Sequence, residues 1–452
     1  MSTTKLVMAG VTAAMLAGCA ENDVILPGKR EDLRAPFGEI SQESVKSENV
    51  AQKISLGKQR SNSDWMQRIG SPATRNAHPA LASQLTGVQW STPIGQGDTR
   101  RFRITADPVV AAGRIFVMDS KSTVSAVSLS GEKLWSVDLT PDRDKESDAG
   151  GGGLAYGDGK LIVTSGFGNL LALDPASGAE IWSQDLSAPT TGTPSISRGL
   201  VYVVGGDNVA WAVNSDTGRI VWQLDGAPGI SRVAGGPAPA VGEDLVVFAY
   251  GTGEIQAAFR KGGARRWDAI VAGQRRGIAA TKVSGITGDP VIAGNTIYAG
   301  SYSGRIVALN ADSGARLWTA KDGALGPVWP AGGSIFAVTD RNELVRLDGE
   351  TGERIWGTRL SFFVKEERRR RVEVVAHYGP IVAGGRVIVG SNDGMIRSFD
   401  PVTGKLVSSV EVPGGATTEC AGFYAGGCQN TGVGAVPKYR HRFLSTWQTP
   451  WN

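Results

Sequence analysis

A turn glycine followed four residues later by a tryptophan recurs six times along this chain. The pairs are Gly131/Trp135, Gly178/Trp182, Gly218/Trp222, Gly263/Trp267, Gly314/Trp318 and Gly352/Trp356. Successive tryptophans stand roughly 40–50 residues apart, which is the period of one four-stranded propeller blade. This repeat fixes the architecture before any functional motif is considered.

Each repeat has the composition of short β-strands joined by tight turns. In the unit that contains Trp222, a β-branched and aromatic run at 199–204 is followed by a Gly/Asp/Asn turn at 205–208 and a second strand at 209–213. A polar turn then ends in Gly218, and a third strand carries the tryptophan. Glycine supplies the positive φ that such a turn requires. Six pairs in register therefore predict antiparallel strands rather than a chance motif.

The two ends of the repeat predict how the ring closes. A degenerate seventh copy covers 398–408, where Ser408 replaces the expected tryptophan, and the segment 88–92 around Trp90 resembles a final strand whose own blade is missing. A propeller closes its ring so that no long edge stays bare. We therefore predict an all-β, eight-bladed β-propeller of four-stranded antiparallel blades, whose last blade joins N- and C-terminal strands. Trp90 and the six repeat tryptophans are expected to dock neighbouring blades.

The C-terminal residues 416–452 fit this last blade poorly. From Thr418 onward the strand alternation is lost, and the segment 438–442 is unlike any earlier unit. Two interpretations follow, a variant blade tied by Cys420 and Cys428 or a frameshifted end that replaces the normal last repeat, and we favour the frameshift. The two thiols could equally pair in an oxidising compartment or stay free.

Residues 1–18 are predicted to be a signal peptide. Lys5 gives a positive start, and the apolar stretch of about a dozen residues that follows is too short to span a membrane. It ends in Leu-Ala-Gly-Cys at 16–19, which resembles the bacterial lipobox and predicts a lipidated Cys19 at the mature start. An ordinary secretory signal with a chance cysteine is the alternative. Ala20 favours the outer membrane, by resemblance to proteobacterial sorting rules.

The remainder divides into a tether, a large domain and the C-terminal tail. Residues 19–85 are polar and rich in Ser, Lys, Gln and Asn, which predicts a lipidated and largely disordered tether. Residues 86–415 carry the repeats and are assigned to the propeller. Because several acyl chains anchor a protein more stably than one, we expect a soluble domain held at the outer membrane and facing the periplasm.

Charge and motifs argue against nucleic-acid binding and catalysis. The chain has 47 Lys and Arg against 43 Asp and Glu, which does not indicate a nucleic-acid partner. His78, His377 and His441 lie far apart without metal-ligand spacing, and no nucleophile motif, phosphate loop or carboxylate pair is evident. We expect no catalytic site, metal or cofactor. One basic run, 368–371, predicts either a solvated loop or a contact with anionic lipid or an acidic partner.

Two copies of the repeat, 172–182 and 308–318, resemble the repeat of pyrroloquinoline-quinone (PQQ)-type propellers. Together with the lipobox and the strand at 89–92, they make the chain similar to the BamB family of outer-membrane protein assembly factors. Stretches similar to 104–108 and 326–330 recur in the alphaproteobacterial branch of that family. The resemblance implies a non-catalytic scaffold of the β-barrel assembly (BAM) machinery.

The same resemblance implies the partners. They are the POTRA repeats of BamA, other BAM subunits and unfolded outer-membrane proteins, contacted through rim loops between the third and fourth and the fourth and fifth units. The first loop offers Ile230, Arg232 and Val233, an apolar-plus-arginine set that interfaces favour, although simple loop packing would also explain the two apolar residues. In the second loop, the acidic residues that some relatives use are not matched. That stretch is 285–287 here, with Arg275 and Arg276 upstream, so the charge of this loop departs from the family pattern.

Two other functions stay open at the level of sequence. A PQQ-dependent dehydrogenase of alcohols or sugars shares the repeat. Such enzymes need a calcium site and an acidic base beside the quinone, and many alcohol oxidisers have adjacent cysteines, which this chain lacks. A propeller that binds glycans is not excluded by any residue.

Overall fold

The structure is a computed structural model of the chain. It describes residues 49–413 with gaps at 83–84, 86, 89, 100, 230–234, 272–284, 365–366 and 368–372, then residue 416 and the backbone of three strands between 423 and 445. All of these residues fall in one unit, Ser47–Asn452. Within them we find no helix with the length and apolar character that crossing a membrane requires.

After a first short strand, β1 (Trp90–Thr92), the chain forms seven antiparallel sheets, each from four consecutive strands. Blade 1 is β2 (Val109–Ala111), β3 (Arg114–Met118), β4 (Thr123–Ser128) and β5 (Lys133–Asp138). Blade 2 is β6 (Gly152–Gly157), β7 (Lys160–Ser165), β8 (Asn169–Leu173) and β9 (Glu180–Asp185). Blade 3 is β10 (Ser195–Ser197), β11 (Leu200–Val204), β12 (Val209–Asn214) and β13 (Ile220–Asp225). Blade 4 is β14 (Ala240–Val241), β15 (Leu245–Ala249), β16 (Glu254–Phe259) and β17 (Arg265–Ile270). Blade 5 is β18 (Val291–Ala293), β19 (Thr296–Ser301), β20 (Arg305–Asn310) and β21 (Arg316–Ala320). Blade 6 is β22 (Trp329–Ala331), β23 (Ser334–Val338), β24 (Glu343–Asp348) and β25 (Arg354–Arg359). Blade 7 is β26 (His377–Ala383), β27 (Arg386–Ser391), β28 (Met395–Phe399) and β29 (Leu406–Glu411).

The first strand of each blade lies innermost and the fourth lies on the perimeter. Neighbouring first strands contact one another, as β6 contacts β2 and β10. The fourth strands β9, β13 and β17 instead have mostly exposed residues around one buried tryptophan. Because successive strands are antiparallel, the turns between strands 1 and 2 and between strands 3 and 4 share one face, which we call the turn face. The connections between blades lie on the opposite face, the loop face.

Each repeat tryptophan packs on the turn glycine of the next blade. The Trp182 ring lies so close to Gly218 that a Cβ added to this glycine would be 2.8 Å from the ring. The indole Nε1 of Trp182 donates a hydrogen bond to the Ser215 carbonyl at 2.9 Å. Trp90 of β1 lies on Gly131 in the same way. The indole nitrogens of Trp135, Trp222, Trp267, Trp318 and Trp356 donate to the carbonyls of Pro175, Arg260, Ala311, Gly349 and Pro401.

The structure gives seven regular blades, where the sequence predicted eight. β1 pairs with the C-terminal strands in a further sheet, in the order β1, β32 (Phe443–Ser445), β31 (Gln429–Gly434) and β30 (Phe423–Gly426). The last three strands are described by their backbone alone. This sheet differs from the seven because it is not formed by four consecutive strands: β1 precedes blade 1 and the other three strands follow blade 7. Cys420 and Cys428 lie outside the described residues, so their pairing stays a prediction.

Residues 49–82 are packed against the propeller rather than forming the disordered tether expected from their composition. We call them the N-terminal strap. Trp65 and Ile69 are 2% and 4% exposed, and Trp65 stacks on Trp329 with ring centroids 6.4 Å apart. The expectation failed because these apolar residues follow neither a helical nor a strand period, so the polar majority dominates the pattern. The earlier part of the predicted tether, including Cys19, lies outside the described residues.

Candidate interaction site

Part of the strap, residues 65–75, fills the axis of the propeller, and we call it the channel plug. It bonds to the innermost strands of five successive blades. The bonds, in blade order, are Trp65 N to Val110 O (2.6 Å) with its reciprocal (3.0 Å), Tyr156 N to Met66 O (2.7 Å), Gln67 Nε2 to Ile196 O (2.7 Å), Val241 N to Pro72 O (2.7 Å) and Ile292 N to Ala73 O (2.9 Å). Because these strands line the channel, the chain's own backbone occupies it.

Arg75 fixes the plug to the sixth blade. Its Nη2 donates to the Pro327 carbonyl at 2.9 Å and its Nε to the Val328 carbonyl at 3.3 Å. The guanidinium carbon lies 4.9 Å from the centroid of the Trp329 ring, a distance at which cation–π attraction contributes. The residue is 4% exposed. Two carbonyls and an indole face thus contribute to stabilising this buried cation.

Arg68 makes the plug's contacts towards the loop face. Its Nε lies 2.8 Å from Asp107 Oδ2, and its Nη1 lies 3.4 Å from both Asp289 Oδ1 and the Gly235 carbonyl. Both aspartates are buried and stand two residues before an inner strand, β2 and β18 respectively. Buried charges persist where they are paired and hydrogen-bonded. The guanidinium therefore joins blade 1 to the connections that precede blades 4 and 5.

Those two connections are the predicted partner loops. They span 226–239, between β13 and β14, and 271–290, between β17 and β18. The five predicted contact residues lie outside the described residues, so their role stays a prediction; they are Ile230, Arg232, Val233, Arg275 and Arg276. The structure does describe both ends of each connection.

The described ends of these connections are held by hydrogen bonds to the rest of the propeller. Ala227 N donates to Glu254 Oε2 at 2.9 Å, and Gly235 N donates to Thr191 Oγ1 at 3.2 Å, so both ends of the first connection are fixed. In the second, Val271 N donates to the Gly253 carbonyl at 2.8 Å. Both connections therefore leave from anchored positions on the loop face.

A third long connection, between β25 and β26, carries the predicted basic run. Its described arms form a short antiparallel pair in which Phe363 bridges to Val374. Phe362 and Val364 on one arm and Val374 on the other are exposed. The run Arg368–Arg371 falls between the arms in sequence and lies outside the described residues.

The two described histidines serve structural hydrogen bonds. Buried His377 places Nε2 2.8 Å from the Ser361 carbonyl and Nδ1 2.6 Å from Ser391 Oγ, and burial lowers its pKa. His78 accepts the Gly385 amide hydrogen at Nε2, at 2.9 Å. Across the residues that the structure describes, no group of His, Cys, Asp and Glu is arranged to hold a metal ion.

Comparison with known proteins decides the family. The family model described as outer membrane protein assembly factor BamB matches residues 120–358. The chain belongs to the BamB family. Curated relatives include BamB of Shewanella oneidensis, 27% identical over 259 residues (53% of this chain, 64% of that protein), and an uncharacterized protein of Rickettsia conorii, 28% identical over 222 residues (48% and 53%). The chain thus spans between about half and two thirds of the length of these relatives.

Solved structures agree on the fold. BamB of Moraxella catarrhalis superposes with a TM-score of 0.64 at 18% identity, covering 81% of this chain and all of that one. A europium-containing methanol dehydrogenase reaches the same TM-score at 14% identity, covering 85% and 90%. At these identities the likeness shows a shared propeller and nothing about activity.

The plug is what sequence reasoning missed in this BamB-family chain. A signal for it was present in two stretches noted above for their resemblance to the alphaproteobacterial branch. The stretch 104–108 contains Asp107, which pairs with Arg68, and 326–330 contains the carbonyls that bind Arg75. Both stretches bind arginines of the plug, although nothing in their local sequence indicates which residues they bind.

Proposed function

We propose that this protein is a non-catalytic scaffold lipoprotein of the BAM complex. It binds the POTRA repeats of BamA, cooperates with the other BAM subunits and assists the folding and insertion of outer-membrane proteins. After removal of residues 1–18, a lipid on Cys19 holds it at the outer membrane, facing the periplasm. The observation that carries the proposal is the BamB family match over 120–358, which covers all six Gly–Trp pairs.

The filled channel supports a scaffold over a PQQ-dependent dehydrogenase. Small ligands bind in concave, largely pre-formed sites, and the axial channel is the main concavity that a propeller offers. Here buried Trp65 and the paired Arg68 occupy that space. A quinone and its substrate would have to displace a segment bonded to several blades. We therefore assign function to the rim, with Ile230, Arg232, Val233, Arg275 and Arg276 as the proposed contacts.

Co-purification tests the assignment. The lipidated chain, solubilised from envelopes in mild detergent, should retain BamA. Alanine at Ile230, Arg232 and Val233 together should lower the retained BamA by about tenfold or more, since a few anchors dominate an interface. Alanine at Phe259, Lys261 and Arg265, an exposed apolar-plus-basic set around the turn between β16 and β17, is the matched control and should change nothing.

Two outcomes would reject the proposal. If the wild-type chain does not retain BamA, the assignment of BamA as its partner is rejected. Reduction of a dye with an alcohol or sugar, after incubation with calcium and PQQ, would establish the rival enzyme. Mass spectrometry of the mature N-terminus tests the lipid on Cys19 separately, and an unmodified cysteine there would reject the anchor while leaving the scaffold role open.

A further inference from the structure

We propose that the channel plug organises the partner-binding rim through Arg68, which acts as a positioning residue for the connections before blades 4 and 5. The inference rests on the proposed scaffold function, because it concerns the same rim. It adds a residue that makes no partner contact itself and that lies in the segment expected to be a passive tether.

The first step is the contact with the connection before blade 4. Gly235 lies two residues after Val233, the last predicted contact residue of that connection, and its carbonyl accepts a hydrogen bond from Arg68 Nη1 at 3.4 Å. Its amide donates to Thr191 Oγ1 at 3.2 Å, and a Cβ on it would lie 3.1 Å from Thr105 Cβ. With φ at +73°, the residue holds a conformation that favours glycine. Gly235 is therefore fixed between the plug, the segment that leads into blade 1 and the connection between blades 2 and 3.

The second step is the link to the connection before blade 5. Asp289 lies near the end of that connection and is 2% exposed. Its Oδ1 accepts the Ala238 amide hydrogen at 2.8 Å and also lies 3.4 Å from Arg68 Nη1. One carboxylate oxygen thus joins the end of one predicted partner loop to the end of the other. Arg68 supplies the positive charge beside that junction.

The third step is the anchor of Arg68 itself. Its Nε lies 2.8 Å from Asp107 Oδ2, on the segment that leads into β2, so the guanidinium is tied to blade 1. Without that cation, the negative charges of the two buried carboxylates, Asp107 and Asp289, would lose the positive charge that Arg68 provides. Removing one partner of a buried ion pair is far more disruptive than removing both. The spacing of both loop ends therefore depends on the plug as well as on the blades.

Arg75 provides a matched control within the same plug. It is also buried and also bonds to carbonyls, and the contacts described above include Pro327 and Val328, just before blade 6, and the Trp329 ring at the start of that blade. The connection before that blade spans 321–328 and is not a predicted partner loop. Loss of either arginine should loosen the plug. Only the loss of Arg68 should also change the positions of the two predicted partner loops.

The test compares Arg68→Met with Arg75→Met in the full mature chain. Binding of purified POTRA repeats of BamA is measured by calorimetry, and the melting temperature is recorded beside it. We expect both variants to melt earlier and Arg68→Met alone to bind about tenfold more weakly. Combined with the alanine triple at Ile230, Arg232 and Val233, Arg68→Met should add little further loss, because residues acting through one element are not additive.

Hydrogen exchange gives a readout that needs no partner. Arg68→Met should speed exchange in peptides that cover 235–241 and 286–292, and Arg75→Met should instead speed it around 328–336. If Arg68→Met does not fold, Arg68→Lys, which keeps the charge but loses the forked geometry, replaces it and should give the same pattern in weaker form.

The outcomes separate the two proposals. A wild-type chain that binds no POTRA repeat rejects the scaffold function, while the exchange pattern still decides the role of Arg68. Unchanged exchange at 235–241 in the Arg68 variant, or equal loss of binding in the Arg68 and Arg75 variants, would overturn the positioning role even if the wild-type chain binds.

Discussion

At the scale of single residues, the ring depends on a contact between a glycine and an indole. Gly218 has φ +70°, and the Trp182 ring occupies the space that its side chain would need. Two separate constraints, backbone conformation and space, therefore require glycine at one position. The indole then donates to a carbonyl of the same turn, so the turn of one blade receives the outer strand of the one before it.

A pair of alanine variants separates these two constraints. Gly159 also has a positive φ, of +73°, but no atom lies within 4 Å of an added Cβ. Gly159→Ala should cost about 1 kcal/mol of unfolding free energy from backbone strain alone. Gly218→Ala should cost about 1–3 kcal/mol more, because the ring must move. Denaturant unfolding measures both, and equal losses would show that space at Gly218 is unimportant.

His377 predicts a pH dependence of stability. Burial lowers the pKa of His377 below its ordinary value of about 6.5, while the unfolded chain keeps that value. Between the two values the unfolded state binds more protons, so stability is full above about pH 6.5 and falls as pH drops towards the folded pKa. Melting temperatures from pH 8 to 5 should show this fall, and His377→Gln should flatten it. A variant with an unchanged slope would assign the fall to other groups.

At the scale of elements, the strap behaves as an added edge of blade 6. Val50 N donates to the Ile355 carbonyl at 3.0 Å on β25, the perimeter strand. Ile355 is 7% exposed, whereas the residues before the tryptophans of blades 2 and 5, Ile181 and Leu317, are 46% and 54% exposed. The strap thus covers an apolar position that its counterparts leave open to solvent. β25 therefore differs from the fourth strands of blades 2 and 5 because the strap packs on it.

Buried Arg346 should hold this first part of the strap. It donates to the Gln52 carbonyl at 2.6 Å and the Lys53 carbonyl at 3.4 Å, as well as to Ser334 Oγ within its own blade. Arg346→Met keeps much of the volume and removes the donors. We expect trypsin to cut after Lys53 about tenfold faster, since cleavage follows the open population.

Arg354→Met is the control for that experiment, because Arg354 pairs with Glu343 in the same blade at 2.8 Å. It should leave cleavage after Lys53 near the wild-type rate. Equal acceleration in both variants would mean that the blade, and not the strap contact, had been loosened.

At the scale of the whole molecule, the strap contacts both the first and the last regular blades. One core cluster contains Trp65 and Leu81 of the strap, Val110 of blade 1, Trp329 of blade 6 and Ile381 of blade 7. The strap also bonds to blade 7 directly, through the Pro79 carbonyl and the Gly384 amide at 3.0 Å. A segment that is bound to both the first and the last regular blades opposes opening of the ring.

Two truncations compare the strap with the C-terminal strands. Deletion of residues 49–82 removes several fully buried apolar side chains, each worth about 2–5 kcal/mol, and should lower the melting temperature by on the order of 10 °C or more. A stop after residue 416 removes β30–β32 and should cost less. Differential scanning calorimetry of both variants provides the test. A larger loss from the C-terminal truncation would place the main closure in the sheet that contains β1.

The sequence by itself determined the blade. Its strands, its turn glycines and its docking tryptophans lie within one period of about 40–50 residues, so local spacing specified them. The BamB family could also be inferred from sequence, because the repeat and the lipobox are local motifs. Only the tertiary structure decided the fate of residues 49–82 and the partners of Arg68, Arg75 and Arg346. Those contacts join segments more than a hundred residues apart in most cases, through carbonyls and carboxylates that no periodicity marks. Where an irregular segment packs depends on the surfaces that the assembled ring presents, and no local pattern in the sequence specifies them.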